Sequence, residues 1–234
     1  MARKQFPYYP IYLDIENRDV LIVGGGDVCA RKAETMIRYG ARVTVVSKGF
    51  TDEIEVLARE GRVTIERAAY DEKQLRGRAM VIASTNDRCV NARVARDCRR
   101  RGIPVNVVDV THLCEFIVPS VVELGSIQIA TSTGGKSPAL ARRIREILEK
   151  TIGPEFGEVN DLLGSLRKEA KRTLPLDRDR KRFFDSIIAR DVLGLIRDGR
   201  RLEAYEIVAE ECRNASVLPS KELTSMLDRL RRGQ

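Results

Sequence analysis

Tryptophan is absent from this chain, histidine occurs once, and no apolar stretch approaches the ~20 residues that a bilayer-crossing helix requires. The five cysteines, Cys29, Cys89, Cys98, Cys114 and Cys212, are odd in number and form no C-x-x-C pair. That argues against a disulfide framework or a zinc site and for a reducing compartment. One histidine, His112, cannot build a typical zinc site, so no metal ligand is assigned. A Ser-His-Asp triad would need that same residue, and no G-x-S-x-G elbow accompanies it. The segment Met1–Pro10 carries Arg3 and Lys4 but no apolar signal core, so a cytoplasmic chain is expected. Aromatic residues are scarce at 5%, and neither an aromatic–basic run nor zinc-finger spacing is present. Nucleic acid is therefore not an expected partner.

What is present fits a globular chain: 234 residues, 43% hydrophobic and 32% charged, enough for one medium domain and a smaller unit. The net charge of +8 suits nucleic acid, an anionic membrane surface or a small polyanion. A substrate rich in carboxylates fits it at least as well. The cluster Arg99-Arg100-Arg101 ends a helical segment, where cations complement the helix dipole.

The most informative stretch is Val20–Lys32, V-L-I-V-G-G-G-D-V-C-A-R-K. A short apolar run stops in three glycines and a helical pattern begins at once. Glycine lets backbone turn tightly and approach a ligand, and the free N–H groups of a helix start favour a phosphate. Gly24 and Gly26 meet the G-x-G-x-x-G dinucleotide pattern, while Cys29 stands at the third glycine position. A glycine-rich strand-to-helix turn with no cofactor is the alternative reading of this motif alone.

Strand and helix patterns alternate over the first 110 or so residues. Strands are expected at Val20–Val23, Arg42–Ser47, Val63–Glu66, Ala79–Ser84 and Ile103–Val108. Helices are expected at Val28–Tyr39, Thr51–Glu60 (capped by Thr51 or Asp52) and Asp87–Arg101. Such alternation implies an α/β doubly wound, Rossmann-like parallel sheet. The rhythm breaks after Asp109: Phe116–Val118, Val121–Leu124 and Ser126–Thr131 are short β-type runs without room for helices between them. They read as a β-containing arm, followed by a helix over about Ala139–Lys150 with Pro138 at its first position. Exposed edges of such an arm are best buried against a second copy, so a homodimer is expected. The remainder is helical and highly charged. The division expected is residues 1–112 as a Rossmann domain, 113–150 as a dimerisation region and 151–234 as a small C-terminal helical domain.

Ligands of open parallel sheets bind beyond the carboxyl ends of the strands. The glycine turn, the segment Ser84–Asp87 (with Thr85 and Asn86) and Asp109 fall there. Asp109 reads either as a general base or as a turn or cap aspartate. The turn after the second strand holds Ser47, Lys48 and Gly49, where an acid usually binds the adenosine ribose. Lys48 would on its own favour a 2′-phosphate and hence NADP.

Taken in order, G-G-G-D-V-C-A-R-K (24–32), G-A-R-V-T-V-V (40–46), A-S-T-N-D (83–87), N-V-V-D (106–109), C-E-F-I-V-P-S (114–120) and S-T-G-G-K-S-P-A-L-A-R (132–142) resemble the siroheme-synthase dehydrogenase family. Its members are precorrin-2 dehydrogenases, some of them also sirohydrochlorin ferrochelatases. The resemblance covers about the first 150 residues. It implies NAD-dependent oxidation of precorrin-2 to sirohydrochlorin, a dimer built after the Rossmann unit, and NAD in spite of the missing ribose-binding acid. The alternatives are an enzyme that also inserts Fe²⁺ or Co²⁺, and a non-enzymatic NAD-sensing regulator. The family aspartate matches Asp109. Cofactor positions match Asp27 and Val28 beside Gly24 and Gly26, and Lys48 and Gly49 after Ser47; Thr85 and Asn86 are added from the strand-end argument. Thr133, Gly134, Lys136 and Ser137 are expected to bind substrate carboxylates, or else to start a helix within the dimer interface. Val110 stands where the family often has a second aspartate, and C-E-F replaces C-D-F at Glu115; both changes bear on metal insertion more than on hydride transfer.

Overall fold

The computed structural model describes residues 8–233. They divide into two compact units: the first runs to Val118 and includes Gly134–Ser137, and the second comprises Pro119–Thr133 and the chain from Pro138 onward.

The first unit is built on five strands, β1 (Asp19–Val23), β2 (Arg42–Ser47), β3 (Val63–Arg67), β4 (Met80–Ala83) and β5 (Val105–Val107). All pairings are parallel, in the order β3-β2-β1-β4-β5. Helices α1 (Asp27–Arg38), α2 (Asp52–Arg59) and α3 (Arg88–Arg101) supply three of the four connections, and a short 3₁₀ turn (Glu72–Leu75) lies in the one between β3 and β4. The expected α/β doubly wound sheet is therefore present. Its strands read as unbroken apolar runs because both faces are covered. In β1, Val20 and Ile22 join the core that contains Cys29, Ala33 and Ile54, while Leu21 and Val23 join the core that contains Val94, Cys98 and Leu75. Strand β4 splits the same way, Met80 and Ile82 against Val81 and Ala83. This alternation of side-chain direction is the period-2 geometry of a strand buried on both sides.

Two expectations are corrected. Strand β5 is shorter than Ile103–Val108, because Pro104 has no N–H to give a ladder, although its carbonyl still accepts from Val81 at 2.9 Å. Phe116–Val118 is not a strand. The Phe116 carbonyl is taken instead by the Asn106 side-chain amide at 3.0 Å, which fastens this segment to β5 as a loop.

In the second unit, β6 (Ser120–Leu124) and β7 (Ile127–Thr131) form an antiparallel hairpin. Gly125 turns it in the left-handed region at φ 58°. Helix α4 (Pro138–Thr151) starts on the proline, where a missing N–H costs nothing. Helices α5 (Glu155–Thr173), α6 (Asp177–Ala189), α7 (Val192–Arg197), α8 (Arg201–Asn214) and α9 (Lys221–Arg231) follow. Gly157 lets α5 close on the hairpin turn, since a Cβ there would meet the Leu124 carbonyl oxygen at 2.5 Å. The helical core gathers Leu162, Leu166, Phe183, Ile187, Tyr205, Val208 and Leu223.

Leu166 is fully buried within that core. Leu166→Ala is expected to lower unfolding free energy by about 2–5 kcal/mol through lost transfer energy and a residual cavity, measured by denaturant titration.

Candidate functional site

The chain leaves β1 through Gly24, whose φ of +136° lies outside the range of ordinary side chains. A Cβ there would stand 2.7 Å from the carbonyl oxygen of Ser84, just past β4. On the other flank, the Gly24 N–H donates to the Val46 carbonyl at 2.9 Å. At Gly25 a Cβ would fall 1.9 Å from the Gly49 carbonyl oxygen, and the Thr51 N–H donates to the Gly25 carbonyl at 2.9 Å. The first two glycines are thus demanded by the protein's own backbone, wedged between the ends of β2 and β4. Gly26 differs: it is the N-cap of α1, and a Cβ added to it would meet nothing within 4 Å. Empty space lies in front of the helix N-terminus, where N–H groups and the helix dipole suit a phosphate. Asp27 and Val28 form the first turn beside it, Asp27 exposed and Val28 half-buried. That cradle fits the pyrophosphate of a dinucleotide.

Cys29 occupies the position of the third glycine and is fully buried. Burial pushes its thiol up to about 12, against the opposing effect of a hydrogen bond with the Ser84 side chain. A small apolar sulfur therefore achieves the close helix–strand packing that glycine otherwise permits.

The turn after β2 presents Ser47, Lys48 and Gly49, with the Gly49 N–H donating to Ser47 Oγ at 3.4 Å. Lys48 and Gly49 are exposed, and no carboxylate stands in Ser47–Phe50. Arg67 stacks its guanidinium 5.2 Å from the centre of the Phe50 ring and pairs with Glu55. Thr51 takes the N-cap position of α2, yet its hydroxyl caps nothing, and Thr51 Oγ1 is a buried side-chain oxygen without a hydrogen-bond partner among the described residues. This orphaned oxygen beside the glycine turn had no sequence signal as anything but a cap.

After β4, the Thr85 hydroxyl lies 2.7 Å from Asn91 Oδ1, and the Asn91 side chain donates to the Thr85 carbonyl at 2.8 Å. Asp87 caps α3 through the N–H groups of Cys89 and Val90. Thr85 is thus engaged in shaping its own loop, while Asn86 is exposed. Asn91, a buried organiser of this loop, was missed by sequence reasoning; a polar residue in the first turn of an otherwise apolar helix face is the signal it left.

Asp109 sits two residues beyond β5, exposed and in the left-handed region at φ 61°. A non-glycine residue held there costs on the order of 1 kcal/mol or more and persists only where its surroundings enforce it. The switch in strand order lies between β1 and β4. The carboxyl ends of β1 and β5 are separated by β4 alone, about 10 Å at ordinary strand spacing. Gly26 and Asp109 consequently share one end of the sheet. Lys32 of α1 is half-buried near this carboxylate: burial and then Arg31 depress its ammonium, and Asp109 acts in the opposite direction. The loop Gly134–Ser137 also belongs to this unit. Gly135 has a φ of +78°, and a Cβ on it would approach the Thr111 methyl carbon at 3.2 Å, two residues from Asp109. Lys136 is exposed there, with Gly134 and Ser137 half-buried, whereas Thr133 falls in the second unit. His112 is exposed in the short 3₁₀ turn Thr111–Leu113, its carbonyl accepting from Arg99 at 3.2 Å. Val110 packs against the apolar core, and Glu115 lies 4.0 Å from Arg99.

Two family models match in succession: one described as "Putative NAD(P)-binding" over residues 11–120, and one described as "Sirohaem biosynthesis protein central" over residues 125–151. The chain is 38% identical over 203 residues to a siroheme synthase of Psychrobacter sp. (strain PRwf-1), and 37% identical over 203 residues to that of Methylococcus capsulatus (strain ATCC 33009 / NCIMB 11132 / Bath). On these matches the chain is similar to part of the siroheme synthases. Each of those alignments covers 87% of the chain but only 42% and 43% of the respective relative, so the chain spans less than half the length of these siroheme synthases. Among solved structures, "SirC, precorrin-2 dehydrogenase" matches with a TM-score of 0.67 at 24% identity, covering 88% of this chain and all of that one. That likeness establishes a shared fold. The siroheme synthase resemblance drawn from ordered motifs therefore holds on independent grounds, and its first model spans the glycine turn and Asp109 together.

Gly25 and Gly26 separate folding from binding. Gly26→Ala is expected to leave the melting temperature unchanged, because its Cβ enters open space, and to weaken NAD⁺ binding about tenfold by calorimetry. Gly25→Ala is expected to disrupt the turn itself and to lower the melting temperature.

Proposed function

We propose that this chain oxidises precorrin-2 to sirohydrochlorin with NAD⁺, releasing NADH and a proton. The observation that carries the reading is the left-handed Asp109 at the same sheet end as the Gly24–Gly26 cradle, faced by Lys32 and approached by the Gly134–Ser137 loop. The dinucleotide, when bound, accepts a hydride. The residues assigned to hold it are Gly24, Gly26, Asp27 and Val28 at the pyrophosphate, Ser47, Lys48 and Gly49 at the adenosine end, and Thr85 and Asn86 along the β4 loop. NAD is preferred to NADP on the family resemblance, although exposed Lys48 alone would favour a 2′-phosphate.

Asp109 is assigned as the base that takes a proton from the macrocycle as the hydride leaves it, then releases that proton to water. The acetate and propionate groups of the tetrapyrrole find cations in Lys32 and Lys136, and the basic charge of the chain serves the same end. Gly134 and Ser137, in the same unit as Asp109, complete the proposed substrate contacts. The half-exposed β6–β7 hairpin carries open edges, which supports a homodimer formed through this region. Five unpaired thiols suit a cytoplasmic setting, and no helix among the described residues is long and apolar enough to cross a membrane.

The test is anaerobic oxidation of precorrin-2 with NAD⁺, followed by NADH absorbance, with Asp109→Ala in parallel. Turnover of the variant is expected to fall about 100-fold or more while NAD⁺ affinity stays within roughly twofold. Near-normal turnover in the variant removes Asp109 from the chemistry; wild-type protein that forms no NADH removes the dehydrogenase reading altogether.

A further inference from the structure

Strand β5 lies at the edge of the parallel sheet, so its outer row of backbone groups has no neighbouring strand. The chain past Asp109 folds back to cover that row. The Glu115 N–H donates to the Val105 carbonyl at 2.8 Å, which is one ladder-like bond. The next backbone positions are met by a side chain. Cys114 Sγ accepts from the Val107 N–H at 3.2 Å, and its S–H lies 3.2 Å from the Val107 carbonyl and 3.5 Å from the Val110 carbonyl. Asn106, buried in β5, donates one amide hydrogen to the Phe116 carbonyl at 3.0 Å and the other toward Cys114 Sγ at 3.6 Å. Burial keeps the Cys114 thiol protonated, with a smaller opposing effect from the Val107 N–H and Arg99. The sulfur is therefore donor and acceptor at once.

Val107 and Val110 are the two residues that bracket the pair Val108-Asp109. The sulfur touches backbone of both, and the Val110 N–H closes the turn onto the Val107 carbonyl at 3.2 Å. Asp109 alone in this turn stands in the left-handed region. A bend of that kind relaxes unless its ends are tied. The Val110→Val107 and Leu113→Val110 backbone bonds close it, and the Cys114 sulfur, itself held by Asn106, is the side-chain tie to both ends.

We infer that Cys114, anchored by Asn106, is a positioning residue that clamps the β5 edge to the Asp109 turn and so aims the Asp109 carboxylate at the substrate. This rests on Asp109 being the base proposed above. The sulfur touches neither substrate nor cofactor in this role, and the motif spacing from Asn106 through Asp109 to Cys114 is what lets one side chain span the turn. Loss of the clamp lets Asp109 swing, and displacement of a reacting group by about 1 Å is enough to cost roughly 100-fold in rate.

The experiment compares Cys114→Ala, Cys114→Ser, Asn106→Ala and Asp109→Asn for precorrin-2 turnover, NAD⁺ affinity by calorimetry and amide hydrogen exchange over residues 108–113. For Cys114→Ala we expect kcat to fall roughly tenfold or more, NAD⁺ affinity to stay within about twofold, and exchange at 108–113 to rise. Cys114→Ser, which keeps a donor and an acceptor, is expected to recover much of the turnover. Should Cys114→Ala fail to fold, Asn106→Ala carries the same expectations with a smaller change. The inference is overturned if a folded clamp variant keeps wild-type turnover and exchange while Asp109→Asn is inactive, or if Cys114→Ser does no better than Cys114→Ala. Full activity in Asp109→Asn instead refutes the assignment of the base, and faster exchange in Cys114→Ala would still establish the clamp as a structural tie.

Discussion

The approach of Gly24 to the Ser84 carbonyl governs the working end of this molecule. Strands β1 and β4 meet there at the point where strand order reverses, and neither can move away without unpairing the centre of the sheet. No side chain fits at Gly24 or Gly25, so the backbone itself forms the wall, and the helix that follows must start where it does. Cys29 then seals the opening turn of α1 against Ser84 from beneath. The geometry of the cradle is a consequence of packing, present before any ligand arrives. That is the condition under which binding energy need not be spent on ordering the site.

On the opposite flank the constraint is of another kind. Asp109 is held in a costly backbone conformation by polar contacts from a loop. Close packing fixes the glycine turn, and directional hydrogen bonds fix the acid. Packing resists displacement over a whole element, whereas a hydrogen-bonded turn can shift by a small angle when one partner changes. The two halves of the site thus respond to substitution in different ways, one through stability and one through alignment.

Much of the fold was legible because both faces of β1, β2 and β4 are covered, which makes their apolar runs continuous and their ends abrupt. Helix limits were legible where a backbone position required glycine, as at Gly102, which ends α3 at φ 65°. Phe116–Val118 misled because an apolar β-branched run reads as a strand, and nothing local reveals that the Asn106 amide takes its carbonyl. The candidate site was marked in the sequence by the same abrupt strand ends. Strand-end position marked Asp109, and the motif marked Gly24 and Gly26. Thr85 drew notice for its place in the chain, yet its hydroxyl serves the loop through Asn91. The orphaned Thr51 oxygen and the Cys114 sulfur depend on contacts between segments far apart in sequence or folded back on themselves. Such contacts leave no periodic trace.

The path of the chain between the two units has a bearing on how the molecule is made. The first unit is left at Val118 and rejoined at Gly134–Ser137 before the chain departs again at Pro138. No single cut can therefore divide the protein into its two parts. During synthesis the residues of the sheet, the last of them Val107, and then those of the hairpin are all made before residues 134–137, the last piece of that end. A fragment ending at Val118 would carry the nucleotide cradle and Asp109 but would lack Lys136.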